Sequence, residues 1–409
     1  MNTSATADEN SLRKSLEAYV ERGALAGAAT LVWRQGRIEQ ITCVGTSDLT
    51  TGLPVERDTI FRIASMTKPV TAVAALIQME AGRFTLDQSI VEHAPELADM
   101  RVLLDPNGAL DHTIPAQRAI TFRDLLTHRS GLTYPEFHRG PVGRAYAEAL
   151  GGEIDNPLHP SEWIARLGTL PLIDQPGGGF HYGFSMDLLG FLIARIAGTS
   201  LGEVFERSVF NPLRMRDTGF AVPREKRTRR AGLNGFDENG HVIARTTTPG
   251  GHAVEDRPED MFESGGQGLW STLDDYLSFA RLFVGGGEVD GVRLLRADTV
   301  AAMTSNQLSV DQRASARMFG RPIFARGHGY GIGVAVVMEP EHADTLRCRG
   351  GVGTVGWPGA YGSWWQADPN DQSILIFLAH SMAELHQMGS GIGLDVWSAI
   401  AKFHALATA

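Results

Sequence analysis

Hydrophobic and polar positions near the N-terminus change from helical spacing to strand spacing. Apolar residues recur at helical spacing from Leu12 onward, and this pattern predicts a helix that ends at Gly23. Apolar runs over 28–33 and 38–44 then predict two strands, joined by a turn at Gly36. The first part of the chain is therefore predicted to form a helix followed by a β-hairpin.

Helical patterns dominate the middle of the chain, between about 86 and 285. The strongest is the set of apolar positions from Leu188 to Ile196, which predicts a helix ending at Gly198. Strand signals are sparse here, apart from a predicted hairpin around 239–240. Further helices are predicted at 122–126, 161–167 and 273–283.

Strand patterns return in the last quarter and precede a C-terminal helix. The predicted strands and helix lie at 330–338, 362–368, 373–380 and 396–403. Strands at both ends predict an α+β fold in which one antiparallel sheet, flanked by helices, takes strands from both termini. We assign 1–62 and 286–409 to this sheet domain and 63–285 to an inserted, mainly helical domain. A site at their junction would lie in a natural cleft.

Composition limits the classes of partner. With 409 residues, 43% hydrophobic and 21% charged, the chain can form two structural units with a large core. The formal net charge of -10 argues against nucleic acid as a partner. Cys43 and Cys348 are far apart, and the histidines have no metal-binding spacing. No apolar run has membrane-spanning length, so we expect no membrane association and a cytoplasmic location.

The first candidate for chemistry is the pair Ser65 and Lys68. On a helix beginning near Met66, residues three apart share a face, so the two side chains can touch. A serine at a helix N-terminus, with a lysine one turn on, can act as a nucleophile with its base. Ser11 begins the same spacing without this context, so the spacing alone is also compatible with a helix N-cap.

Two glycine-rich segments add candidates. The loop at 175–181 leads to Tyr182, whose phenol could act as an acid or base beside an ammonium group. The alternative is a tyrosine that only packs its ring. The segment 355–363 lets the backbone approach a ligand closely, and an N–H group there could complete an oxyanion hole with that of Ser65. The alternative is a turn leading into a strand.

Three other patterns lack the structural context that their chemistry requires. The G-x-S-x-G pattern at 198–202 follows a helix rather than a strand. The G-x-G-x-x-G pattern at 351–356 leads into a strand rather than a helix, which argues against a dinucleotide site. The basic run at 224–230 is interrupted by Glu225 and is interpreted as a solvated face.

Five segments, taken in order, resemble the serine β-lactamase-like superfamily, and class C β-lactamases and family VIII carboxylesterases are the closest groups. The segments are 60–68, 125–132, 182–190, 212–220 and 264–272. The resemblance implies that Ser65 is the nucleophile, Lys68 its partner and Tyr182 the second base. It also places 357–359 at the position of the lactamase Lys-Thr-Gly, so that Ala360 supplies the second oxyanion N–H.

Two departures from the lactamase pattern favour the esterase branch. Trp357 replaces the lysine that helps to hold the β-lactam carboxylate, and a neutral indole suits an uncharged ester. Phe184 stands where lactamases place the asparagine of Tyr-x-Asn. The predicted substrate-binding residues are Trp357, Gly359, Tyr134 and Phe184.

The resulting prediction is a serine carboxylesterase that cleaves a small-molecule ester through an acyl-enzyme on Ser65. No metal or organic cofactor is expected. A β-lactamase, a D-aminopeptidase or an acyltransferase on the same scaffold stays open, as does a non-catalytic binding protein that has kept the fold. Whether Lys68 or Tyr182 is the general base is also open, as is the oligomeric state.

Overall fold

A computed structural model describes residues 9–138, 140–151, 155–247, 262–318, 320–324, 326–384, 387 and 390–409. Its centre is an 8-stranded antiparallel sheet with strands from both ends of the chain. From edge to edge the strands are His328–Tyr330, Ala335–Val337, Val355–Gly356, Trp364–Asp368, Ser373–Ala379, Gly27–Arg34, Arg37–Asp48 and Leu53–Pro54. The predicted fold class is confirmed.

The two ends of the chain meet at the middle of the sheet. Gly27–Arg34 lies between Arg37–Asp48 and Ser373–Ala379, with Thr30 opposite Phe377. Nearly every residue of these two central strands is buried, because helices cover both faces of the sheet. The period of two sends alternate side chains to opposite faces, so Ala28 and Val32 join a different apolar cluster from Ala29 and Leu31.

Helices from three parts of the chain cover the sheet. Glu9–Glu21 and Leu394–Ala407 pack on one face. Leu273–Val284 packs on the other, where the Phe283 and Trp365 ring centroids are 5.2 Å apart. This helix lies within the predicted helical domain, 63–285, although it packs on the sheet. The domain boundaries at 62 and 286 stay a prediction.

The middle of the chain is mainly helical, as predicted. Ser185–Ala197 ends at Gly198, which has a left-handed φ of 69°, and it packs against Thr67–Glu80. The other α-helices among the described residues are Phe122–Leu126, Pro141–Leu150, Pro160–Leu167, Leu201–Phe205, Asn211–Leu213, Ala297–Met303 and Val310–Ser315. A π-helical segment, Glu206–Phe210, joins two of them, and 3₁₀ turns occupy Ala64–Met66, Ile90–Glu92, Pro95–Leu97, Pro135–Phe137, Arg224–Arg229 and Pro340–His342.

Short strand pairs lie outside the main sheet. The hairpin predicted around 239–240 is confirmed. The pairs are Phe61–Arg62 with Trp270–Ser271, Arg101–Leu103 with Thr113–Pro115, Leu233–Phe236 with Val242–Arg245, Glu288–Val289 with Val292–Arg293 and Arg317–Met318 with Arg321–Pro322.

The single strand predicted over 330–338 is wrong. The chain forms two antiparallel strands there, His328–Tyr330 and Ala335–Val337. They are joined by a tight turn in which Gly331 N–H donates to Val334 O and Gly333 has a φ of 75°. Apolar residues continue through this turn, so the hydrophobic pattern shows no break where the backbone reverses.

Among the described residues, no single helix is both long and apolar enough to cross a membrane. Ser185–Ala197 and Leu201–Leu213 satisfy that length and composition only together, as a pair bent by 79°.

Candidate active site

Ser65 lies on a strained turn between a strand and a helix. The 3₁₀ turn Ala64–Met66 follows the strand Phe61–Arg62 and leads directly into the helix Thr67–Glu80. Ala64 has a φ of 43°, a left-handed conformation that costs a non-glycine residue about 1–2 kcal/mol. Such strain persists only where the surrounding structure fixes the backbone, and it is common beside functional groups.

The structure brings Ser65, Lys68 and Tyr182 together. Ser65 Oγ is 2.8 Å from the Tyr182 hydroxyl oxygen and 3.1 Å from Lys68 Nζ. The side chains are nearly inaccessible, at 6%, 0% and 7% exposed. Tyr182 is 117 positions from Ser65 in sequence, so this contact depends on how the helical region packs around Thr67–Glu80.

Lys68 Nζ is surrounded by acceptors. It donates to Ser65 Oγ at 3.1 Å, to Gly266 O at 2.9 Å and to the Tyr134 hydroxyl at 3.4 Å. The Tyr134 hydroxyl donates in turn to Asp187 Oδ2 at 3.3 Å. An ammonium has three N–H donors and a neutral amine two, so three acceptors fit the charged form of Lys68.

Asp187 is a part of this site that the sequence analysis missed. Its carboxylate is 1% exposed and accepts hydrogen bonds from Gly266 N–H at 3.1 Å and from the Ser264 hydroxyl. Burial raises the pKa of Asp187, while the Lys68 charge and these hydrogen bonds act in the opposite direction. An acidic residue within the first turn of the helix Ser185–Ala197, just before its long apolar run, was the signal that could have revealed it.

Trp357 contacts Tyr182 rather than open solvent. Its indole Nε1–H donates to the Tyr182 hydroxyl oxygen at 3.1 Å, and Trp357 is 2% exposed. Lys68 Nζ lies 4.5 Å from the centre of the Tyr182 ring. Both interactions stabilise negative charge that develops on the phenol oxygen. At the lysine position of the lactamases, this chain thus has a neutral N–H donor directed at Tyr182.

Gly359 allows two segments of the backbone in the site to approach each other closely. A Cβ atom added to Gly359 would lie 2.4 Å from Ile63 O, so only glycine fits beside the segment that precedes Ser65. Ala360 follows at an exposed position. Within the described residues, neither the Ser65 N–H nor the Ala360 N–H has a hydrogen-bonding partner. Unpaired N–H groups at these positions are what an oxyanion hole requires.

Aromatic rings form the wall beside Lys68 and Tyr182. The Tyr134 ring lies 5.7 Å from the Tyr182 ring and 4.7 Å from that of Phe184. Phe184 packs against Trp163 at 5.4 Å, so the ring contacts place Phe184 behind Tyr134 rather than beside Ser65. The wall is therefore apolar apart from the hydroxyl groups of its two tyrosines.

His128 packs against Tyr182 from the other side. Their ring centroids are 4.9 Å apart, and His128 is fully buried with a φ of 53°. Burial, together with the nearby Lys68 charge, lowers the pKa of His128 well below its usual value. The residue is therefore a neutral part of the pocket wall.

A family model described as Beta-lactamase matches residues 12–392. The chain belongs to the Beta-lactamase family. The resemblance inferred from the five sequence segments is confirmed. Members of this fold family are hydrolases or acyltransferases.

Curated relatives of this Beta-lactamase family member match along most of their length. Protein Rv1367c of Mycobacterium tuberculosis is 41% identical over 371 residues, covering 91% of this chain and 90% of the relative. Esterase EstB of Burkholderia gladioli is 29% identical over 381 residues, covering 90% of each. Acyltransferase calJ of Penicillium decumbens is 28% identical over 325 residues, covering 76% of this chain and 73% of the relative.

A solved structure matches the fold. "EstCE1, a hydrolase with promiscuous acyltransferase activity" superposes with a TM-score of 0.78 at 23% identity, covering 97% of this chain and 98% of that chain. The likeness shows that this Beta-lactamase family member has the same arrangement of sheet and helices.

The G-x-S-x-G pattern at 198–202 and the basic run at 224–230 have structural roles in this Beta-lactamase family member. Ser200 is the N-cap of Leu201–Phe205 and accepts from the Glu203 N–H at 3.1 Å, so it is no nucleophile elbow. In the basic run, Lys226 and Arg229 form ion pairs with Asp217. The group Glu339, Glu341 and His342, which alone among the described residues has three potential metal ligands within 4.8 Å, includes no residue of the site.

Proposed function

We propose that this protein is a serine carboxylesterase that forms an acyl-enzyme on Ser65. One observation carries the proposal: Ser65 Oγ lies between the Tyr182 phenol, at 2.8 Å, and the Lys68 ammonium, at 3.1 Å. An acceptor for the hydroxyl proton and a positive charge beside the developing alkoxide are the two requirements of an activated serine.

Tyr182 is the base in this proposal. The three N–H groups of Lys68 all have acceptors, which leaves Lys68 no lone pair with which to take a proton. The reacting form is the Tyr182 phenolate, whose oxygen receives the Trp357 N–H and faces Ser65 Oγ, so it takes the serine proton as Oγ attacks the ester carbonyl. Lys68 then stabilises charge without exchanging its proton.

The rest of the cycle reuses the same groups. The N–H groups of Ser65 and Ala360 hold the oxyanion, and Tyr182 returns its proton to the leaving alcohol as the C–O bond of the ester breaks. Water then enters, gives a proton to Tyr182 and attacks the acyl carbon. The Tyr182 proton passes to Ser65 Oγ, which releases the carboxylic acid and restores the starting state.

The lining favours an uncharged ester over a β-lactam carboxylate. Trp357 uses its one polar hydrogen for Tyr182, and the wall around Tyr134 is aromatic. A substrate carboxylate placed there would lose hydration, and the neutral indole would not replace the charge that the lactamase lysine supplies. The 29% identity to a protein named esterase supports the same choice.

Acyl transfer is the second candidate, because one relative is named an acyltransferase. Transfer needs no new group: an alcohol replaces water in the second half of the cycle and gives its proton to Tyr182. Adding a primary alcohol to the ester assay and measuring the ratio of transferred ester to free acid separates the two activities. A ratio that exceeds the acceptor-to-water ratio favours a transferase.

Replacement of the nucleophile tests the proposal. Ser65→Ala is expected to lower kcat/KM for p-nitrophenyl butyrate by at least about 10³-fold, and to abolish labelling by a fluorophosphonate probe. Ser200→Ala is the matched control, since that serine only caps a helix, and full activity is expected. A Ser65→Ala enzyme that retained activity would end the assignment.

A further inference from the structure

Arg62, three residues before Ser65, forms a fully buried ion pair with Asp155. Arg62 and Asp155 have side chains that are each 1% exposed, and two hydrogen bonds of 2.9 and 2.6 Å join the guanidinium to the carboxylate. Removing two charges from water carries a large desolvation penalty, so a pair of this kind is a poor source of stability. Its position beside the site points to another role.

The backbone between Arg62 and Ser65 is held from two sides. Arg62 pairs with Trp270 in a short antiparallel ladder, and the Ile63 N–H donates to Leu269 O at 3.0 Å. On the other side, Ile63 O lies against Gly359, with no room for a Cβ atom. A small rotation of the Arg62 strand would therefore move Ser65 relative to the segment that carries Ala360.

The Arg62 guanidinium also interacts with the surroundings of the segment that carries Ala360. It lies 5.5 Å from the Trp270 ring, and Trp270 shares one apolar cluster with Ala64 and Tyr361. Burial lowers the pKa of Arg62, but the charge and hydrogen bonds of Asp155, with a smaller contribution from Tyr361, raise it overall. Tyr361 directly follows Ala360. The guanidinium is thus three residues from one proposed oxyanion donor in sequence and electrostatically linked to the residue that follows the other.

We propose that Arg62 and Asp155 are a positioning pair that fixes the left-handed turn at Ala64 and so aligns the N–H groups of Ser65 and Ala360. The inference rests on the proposed acyl-enzyme function. A two-point hydrogen-bonded pair restricts orientation more strictly than an apolar contact of the same size. The φ of 43° at Ala64 needs such a restriction, because the unrestrained backbone would relax to a negative φ.

The test replaces the pair by apolar side chains of similar volume. Arg62→Met with Asp155→Leu removes both charges together, and swaps of this kind are often neutral for stability. We expect a folded protein whose kcat falls by about 10²-fold, the size of effect seen when reacting groups are slightly misplaced. KM and the pH midpoints of kcat/KM are expected to change little, because the pair touches neither substrate nor Tyr182.

Arg62→Lys is the second variant, and it keeps the charge but loses the two-point geometry. We expect its kcat to fall by about 10-fold or more, because a lysine cannot fix the carboxylate orientation. The matched control is Arg57→Met with Asp274→Leu, since that pair has similar geometry, 2.8 and 2.7 Å, but is about half exposed. Wild-type kcat is expected for the control.

The kinetics of these variants distinguish a positioning role from a merely structural role and from a role in substrate binding. If Arg62→Lys or the folded double variant has wild-type kcat, the pair is merely structural and the inference is overturned. A rise in KM at constant kcat overturns it as well, since it indicates a role in substrate binding. Failure of the wild-type enzyme to label at Ser65 with a fluorophosphonate would instead remove the proposed function on which the inference depends.

Discussion

The middle of the sheet and the surroundings of Ser65 are both buried, but different interactions hold them together. Gly27–Arg34 and Ser373–Ala379 are dominated by apolar side chains, each of which gains from burial regardless of its exact neighbour. Around Ser65 the buried groups include Lys68 and Asp187, and each depends on particular partners. A change in the sheet should therefore cost stability, whereas a change in the site should cost activity.

Among the substitutions that test this contrast, Tyr182→Phe is expected to have the largest effect on activity. The substitution keeps the ring contacts but removes the oxygen that faces Ser65, so kcat/KM for an ester should fall by about 10³-fold, while the unpaired Trp357 N–H should cost about 1–3 kcal/mol of stability. Tyr146→Phe is the control, because this buried hydroxyl donates only to Pro171 O at 3.1 Å. The control should lose about 1 kcal/mol of unfolding free energy at unchanged kcat. Equal kinetics for the two variants would contradict the role given to Tyr182.

A smaller loss, of about 10- to 10²-fold in kcat, is expected from Asp187→Asn. The amide keeps the size of the side chain but removes the negative charge that faces Lys68. Because burial raises the pKa of Asp187, its folded-state ionisation opposes stability as pH rises above the unfolded value. Thermal unfolding measured across pH should therefore show a smaller decline of stability with rising pH in this variant than in the wild type.

Asp275→Asn sharpens this prediction. Burial likewise raises the pKa of Asp275, to about 6, but its carboxylate accepts from the Asp217 N–H and the Thr218 hydroxyl. The stability contributed by the protonated Asp275 is present below the unfolded pKa and is lost as pH rises through about 6. The asparagine variant should lack this decline and keep wild-type kcat. Reduced kcat in both variants would show that buried acids in general, rather than Asp187, support activity.

The smallest effect is expected in the sheet. Ile376 is fully buried between Leu31 and Trp365 on neighbouring strands. Ile376→Val should lower the free energy of unfolding by about 0.5–1.5 kcal/mol and leave kcat and KM unchanged at 25 °C. A change in kcat comparable to that of Asp187→Asn would break the contrast between the two regions.

Local patterns predicted the elements well where the sequence marks their ends. Phe122–Leu126 was predicted with its observed bounds, and Ser185–Ala197 ends at Gly198 as expected. The prediction failed at 330–338, where apolar residues continue through a turn. The glycines there are compatible with a strand as well as with a reversal, and the reversal is evident only from the antiparallel pairing of His328–Tyr330 with Ala335–Val337.

The family resemblance named Ser65, Lys68 and Tyr182 as candidates, and the structure brings their side chains together. The connections among the buried charges were not predicted. Lys68 and Gly266 are 198 positions apart, and Arg62 and Asp155 are 93 apart. No periodicity links such positions, because each contact forms only when separate elements pack together.

The sequence by itself determined many of the helices and strands, the family and the candidate reactive residues, since these depend on spacing along the chain and on motifs that stay local. The tertiary structure alone decided that Trp357 donates to Tyr182, that Asp187 faces Lys68 through Tyr134, and that Ala64 adopts a left-handed turn. These features are set by the low polarity and close packing of the interior, where a buried charge or a strained backbone persists only with its partners in place.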